Sequence, residues 1–253
     1  MWRGLAVLVG CAAGLLMVWS TTGFEQELPD KGFVLRLEEP ATAADRDVHR
    51  FLRNWQIADF VLADLNAYVD LPHRVMVVAR SCAGEGTAYD PSERRIDLCY
   101  EDLVEEREAF ERAESWLQDE DLADLTRETL YHEAGHALRD ALDLPDAGAR
   151  AEEDAADRFA QLMLLRGHPE GEDTLLTAAR AYDLAAAADP TPDPADEHAP
   201  PATRAESHRC AVHGDAAPTR HRNLATPARA HCAGTWAATR EAWTRDLTPL
   251  LRR

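Results

Sequence analysis

Two helical runs joined by a very short turn constrain this chain more than any other feature. In the first, Leu122, Leu125, Leu130, Ala134, Ala137, Leu138 and Leu142 recur at three- and four-residue spacings, the pattern of an amphipathic helix. Asp121 or Asp124 can cap its start, and Leu144-Pro145 ends it, because proline disfavours helix in the residue before it. The second run, 150–165, carries Glu152, Glu153, Asp154 and Asp157 at its acidic end. Only 145–149 lies between them, so the two helices should pack antiparallel.

The first run contains His132-Glu133-Ala134-Gly135-His136. Residues four apart lie one turn above each other, so His132 and His136 can aim imidazole nitrogens at one metal ion. Glu133 sits one step round the helix, where it reaches a water rather than the ion. Zinc suits such a pair, because it accepts neutral imidazole and carboxylate and works with an open position for water. Catalytic zinc is held by three protein groups, so a third is needed. From His136 to Leu142 the first helix climbs about 9 Å, and from Arg150 to Glu153 the second descends about 5 Å, which returns Glu153 to the level of the metal. Glu152 is the alternative ligand if the register is off by one. Asp157, a turn beyond Glu153, is placed to accept the other ring N–H of a ligand histidine and so fix its tautomer. Gly135 leaves room for a neighbouring backbone or a substrate.

This HExxH followed by a helix bearing Glu-x-x-x-Asp resembles the gluzincin zinc metallopeptidases, the group that includes thermolysin, at His132, Glu133, His136, Glu153 and Asp157. More closely, the chain resembles a secreted bacterial family of inferred metallopeptidases long filed as a domain of unknown function. That likeness rests on Cys82-Ala83-Gly84-Glu85-Gly86-Thr87-Ala88-Tyr89-Asp90-Pro91, on Ile96-Asp97-Leu98-Cys99-Tyr100-Glu101, on the HEAGHAL core and on Glu152-Glu153-Asp154-Ala155-Ala156-Asp157. It extends over about 30–235. The chain departs from the family after Asp196-Glu197-His198, where 199–210 replaces a helix rich in Gln and Arg, so the resemblance carries no role onto that stretch. It implies an α+β, zincin-like fold: a small N-terminal β-sheet packed on a helical active-site core, one Zn²⁺ per chain and a peptide or protein substrate. It also implies that Ile96-Asp97-Leu98 is a sheet edge facing the cleft, able to hold a peptide by strand addition.

The formal charge of −19 argues against nucleic acid or an anionic membrane surface as partner, since both need a basic footprint. Residues 1–23 read as a signal peptide or N-terminal membrane anchor: Arg3 precedes an apolar run of about 24 Å as helix, short of a ~30 Å hydrocarbon core, but cleavage cues are poor. Leu8-Val9-Gly10-Cys11 has the look of a lipobox. Export agrees with the cysteines, since Cys82, Cys99, Cys210 and Cys232 form an even set. Three pairings are open. The local ones, Cys82–Cys99 and Cys210–Cys232, are simplest, each worth on the order of 3 kcal/mol.

The rest, 24–253, reads as one domain. Strands are predicted over 32–37, 73–79 and 95–100, one long helix over 45–71 with Phe60 on its apolar side, and helices over 103–117 and 174–188. A Pro-rich loop spans 189–202, and 203–253 is a helical cap with one helix over 236–251. His198, Tyr182, His208 and His213 are candidates for polarising a substrate carbonyl. The functional expectation is metal-assisted amide hydrolysis with Glu133 as the base; the rivals are a zinc-binding but inactive envelope protein and a metal-free, disulfide-stapled domain.

Overall fold

The computed structural model describes residues 28–113, 117–166, 170–191, 193, 195–215 and 221–252. The leader and Cys11 lie outside them. The described residues form an α+β structure of eight α-helices and a four-stranded sheet in the order β1-β2-β4-β3. β1 (Gly32–Leu37), β2 (Arg74–Arg80) and β4 (Arg95–Cys99) run parallel, and β3 (Ala88–Asp90) pairs antiparallel with β4. One sheet edge is sealed: Asn66 Oδ1 accepts from Phe33 N and Asn66 Nδ2 donates to Phe33 O, both at 2.8 Å, completing the backbone of β1 from a helix.

The edge beside the cleft is β3, not Ile96-Asp97-Leu98, which lies inside the sheet between β2 and β3. Three residues flanked by Gly84, Gly86 and Pro91 are too short to show an alternating pattern, and 81–94 reads as a turn. Tyr89 fastens this edge to the helix below by donating to Asp140 Oδ2 at 2.8 Å.

The crossover from β1 to β2 is two helices, α1 (Ala43–Trp55) and α2 (Ile57–Tyr68), rather than one. Gln56, at φ +53°, breaks them. The apolar spacing Val48, Phe51, Leu52, Trp55, Ala58, Val61, Leu62, Leu65 runs unbroken through the kink, which is why the periodicity conceals it. The bend turns Phe60 outward, 66% exposed, and brings Ile57 into the core.

After β4 come α3 (Tyr100–Arg112), α4 (Asp119–Ala141), α5 (Ala149–Leu165), α6 (Gly171–Ala188), α7 (Pro201–Asp215) and α8 (Cys232–Leu247). Gln118 caps α4 in a reciprocal box with Asp121, while Asp124 instead accepts from Thr174 Oγ1 at 2.7 Å. Disulfides join Cys82 to Cys99 and Cys210 to Cys232. The second ties α7 to the start of α8, so the C-terminal region is stapled as the local pairing expects. One apolar core draws on every layer, from Phe33 and Val75 of the sheet to Leu130, Phe159 and Leu247 of the helices.

The helix pair at the centre is in close contact at Gly135. A Cβ there would lie 3.0 Å from Ala156 Cα and 3.1 Å from Phe159 Cβ, so the room left by Gly135 is taken by α5. Forcing a branched side chain into this crossing must part the helices. Gly135→Val is therefore expected to lower the unfolding free energy by about 1–3 kcal/mol in chemical denaturation, the usual cost of overpacking. An unchanged midpoint would show that the crossing is loose.

Candidate metal centre

The α4–α5 pair brings together the residues that the spacing singles out. His132 Nε2 lies 3.1 Å from Glu153 Oε2, His136 Nε2 lies 3.3 Å from Glu153 Oε1, and the two Nε2 atoms are 3.2 Å apart. The edge of a tetrahedron of ligands at ~2.05 Å from zinc is ~3.3 Å, and all three contacts, the two to Glu153 through different carboxylate oxygens, come close to it. Two imidazoles and a carboxylate are also the donor chemistry of such an ion. The residues present thus fit a small divalent metal.

Glu152 does not join them. Its carboxylate pairs with the Arg139 guanidinium, with Nη2 at 2.7 Å, and accepts from Ala147 N at 3.1 Å. A one-residue step turns a helical side chain by about 100°, and Arg139 fixes which of the two acids faces the histidines.

Asp157 Oδ1 accepts from His132 Nδ1 at 2.9 Å, which leaves Nε2 as the lone-pair nitrogen of the neutral ring. The same carboxylate accepts from Arg204, at 2.6 Å from Nη2 and 3.0 Å from Nε. Arg204 in turn stacks on Tyr182, its guanidinium carbon 4.3 Å from the ring centroid. Burial would raise the pKa of Asp157, but the His132 bond and the Arg204 charge hold it far below the carboxylate range. Burial likewise opposes ionisation of Glu153, and its bonds to His132, His136 and His198 overcome it.

His198 is the further histidine at this site. Its Nε2 lies 2.9 Å from Glu153 Oε2, and its ring stacks across His132 with centroids 6.2 Å apart. Arg150 holds the turn that carries it, donating to Asp196 O at 2.7 Å and Glu197 O at 2.9 Å. Tyr182 and His208 are committed elsewhere: Tyr182 underlies Arg204, and fully buried His208 contacts Gln161 and Glu128. His213 lines none of the cavities at the site.

Glu133 is buried, 6% exposed, and burial pushes its pKa up, with the neighbouring imidazoles pulling the other way and the Glu153 charge adding to the rise. A carboxyl poised above its ordinary range can both take and return a proton. Cys210, His231 and Cys232 also cluster, but the two sulfurs are bonded to each other.

Against this geometry, the sequence model of a family described as "Putative metallopeptidase" matches residues 37–247. The chain belongs to that family. The match runs from the end of β1 to the last residue of α8, so the metallopeptidase family takes in β2, β3 and β4, both central helices and the stapled C-terminal region. No curated protein and no solved structure matches the chain. The family description carries metal-dependent peptidase activity, and among the described residues His132, Glu153 and His198 form one of the groups able to hold a metal ion.

The roles of Arg204 and Arg150 are not visible in the sequence, where 203–253 shows a helical cap whose one distinct helix is 236–251. The one signal was Asp196-Glu197-His198 standing alone after a Pro-rich stretch.

Proton and metal compete for the same lone pair. Burial alone would lower the pKa of His132, yet its bonds to Asp157 and Glu153 and the charge of Glu133 outweigh burial and lift it to about 10. Below that pH a cation must displace the Nε2 proton, so affinity should rise with pH and flatten above it. Chelator-competition titrations between about pH 6.5 and 8.5 should show roughly a tenfold rise per unit. A flat profile would mean that His132 is already neutral and not the site of competition.

Proposed function

We propose that this chain is an exported, zinc-dependent metallopeptidase of gluzincin type that hydrolyses peptide bonds. The observation that carries the reading is the meeting of His132, His136 and Glu153 donor atoms at 3.1–3.3 Å, with Glu133 beside them. His132, His136 and Glu153 would hold Zn²⁺, and Asp157, itself held by Arg204, would keep His132 in the ligating tautomer. Zinc at such a site supplies Lewis acidity, making water ionise near neutral pH and a carbonyl more electrophilic.

The protein groups do the rest. Glu133 takes the proton of the attacking water and returns it to the leaving amine nitrogen. His198, beside the donors with its Nε2 2.9 Å from Glu153 Oε2, turns to donate a hydrogen bond to the scissile carbonyl oxygen as negative charge gathers on it. The outer edge of β3 offers backbone groups to an extended peptide, and Ala88 and Tyr89 line the cavity that reaches His136.

Export is supported by the two disulfides, which belong to oxidising compartments. Among the described residues no helix is long and apolar enough to cross a membrane. We assign 1–23, which lies outside the described residues, to a signal peptide or N-terminal anchor, and 24–253 to one domain.

The test is metal analysis of the purified protein followed by a mixed-peptide cleavage assay with and without chelator. Glu133→Gln should keep its zinc and lose turnover by roughly a hundredfold or more. Glu153→Ala should instead lose zinc. Zinc bound in stoichiometric amount without chelator-sensitive cleavage would favour the inactive, zinc-binding reading, and Glu133→Gln at full activity would remove the base from its role.

A further inference from the structure

The cleft continues past the metal-binding residues into a second, larger space. The outer cavity against β3 measures about 470 Å³, and an inner one of about 790 Å³ runs between α3, α4 and α6. Thr87, His132, Glu133 and His198 line both, so the two open onto the same chemistry. A chain lying along β3 therefore meets the inner cavity as it passes Glu133.

The walls of that cavity are apolar, with Leu103, Leu122, Leu125 and Leu184 among them, but Glu106 and Glu128 stand in the lining. Glu128 is 4% exposed, and its Oε1 faces His208 Nε2 at 3.2 Å without making a hydrogen bond. Glu106 makes no hydrogen bond or ion pair with any described residue; burial first, then the charges of Glu128, Asp102 and Glu105, push it up to about 7. Two arginines also line the space. Arg204 is committed to Asp157 through two hydrogen bonds, and Arg112 is exposed at the end of α3, where its Nε donates to Glu108 O at 3.2 Å. A pocket with apolar walls thus holds Glu106 without a directed cation, beside Glu128, whose close partner is the buried His208 imidazole.

We propose that the inner cavity is a specificity subsite for a cationic side chain, lysine or arginine, of the peptide substrate. The methylene stem lies along the leucines and the charged head reaches Glu106 and Glu128. A purely apolar guest would leave Glu106 facing hydrocarbon, and an acidic guest would add its charge to five carboxyl groups, Asp102, Glu105, Glu106, Glu128 and Glu133. Glu128 stands one helical turn, about 6 Å, from His132, a span that a lysine side chain covers from a backbone held at the metal. The assignment rests on the peptidase reading, because it places the bound peptide at His132 and Glu133.

Zinc-loaded, full-length protein is incubated with a mixed peptide library and the cut bonds are read by mass spectrometry. Cleavage sites should concentrate beside Lys and Arg at one fixed position. Peptides carrying Lys or norleucine there should then differ in kcat/KM by about tenfold or more, and Glu106→Gln should collapse that ratio. Cleavage without Lys or Arg enrichment, or a ratio that Glu106→Gln leaves intact, overturns the subsite while the peptidase reading stands. If wild type cuts nothing, the peptidase reading fails, and the subsite is judged by fluorescence anisotropy. Tighter binding of a labelled Lys peptide than of its norleucine twin, lost in Glu106→Gln, supports it; equal binding overturns it.

Discussion

The close crossing of α4 and α5 is the constraint on which the site depends. At Gly135 the second helix lies so near that an added Cβ would press on the Ala156 backbone. That proximity lets the carboxylate of Glu153 fall between two imidazoles one turn apart on α4. It also sets Asp157, one turn along α5, beneath His132 rather than beside it. The four-residue spacing on each helix then does the same job twice: His132 and His136 share a face, and so do Glu153 and Asp157.

Holding these charges away from water is costly, and the protein meets that cost with a chain of partners. Arg204 neutralises Asp157, Tyr182 covers Arg204, and the apolar core closes around them. Removing one member of such a set leaves its neighbour buried and unpaired, which destabilises more than the pair ever contributed. The network therefore fixes the His132 ring, with Asp157 at Nδ1 and Nε2 turned toward Glu153. The disulfide between Cys210 and Cys232 serves the same end, because it anchors the far end of the helix that supplies Arg204.

The parts of this arrangement that follow helical arithmetic are legible in the sequence. The rise per residue alone carries Glu153 back to the level of His132. It could not choose between Glu152 and Glu153, since that choice rests on a tertiary pair with Arg139. The helix α7 was hidden for a different reason. Its inward face carries Arg204 and His208 among the small residues Ala205, Ala211 and Val212, so the apolar stripe is thin and interrupted by residue types of a surface. β3 is only three residues long, and the break at Gln56 falls where the apolar spacing happens to stay in phase. Local rules lose their grip where a polar network or a short edge replaces hydrophobic patterning.

Anomalous diffraction at the zinc absorption edge, from crystals of the metal-loaded protein, tests the central claim most directly. The account predicts one strong peak within about 2.2 Å of His132 Nε2, His136 Nε2 and an oxygen of Glu153. A peak beside Glu152, or none along α4, would contradict it.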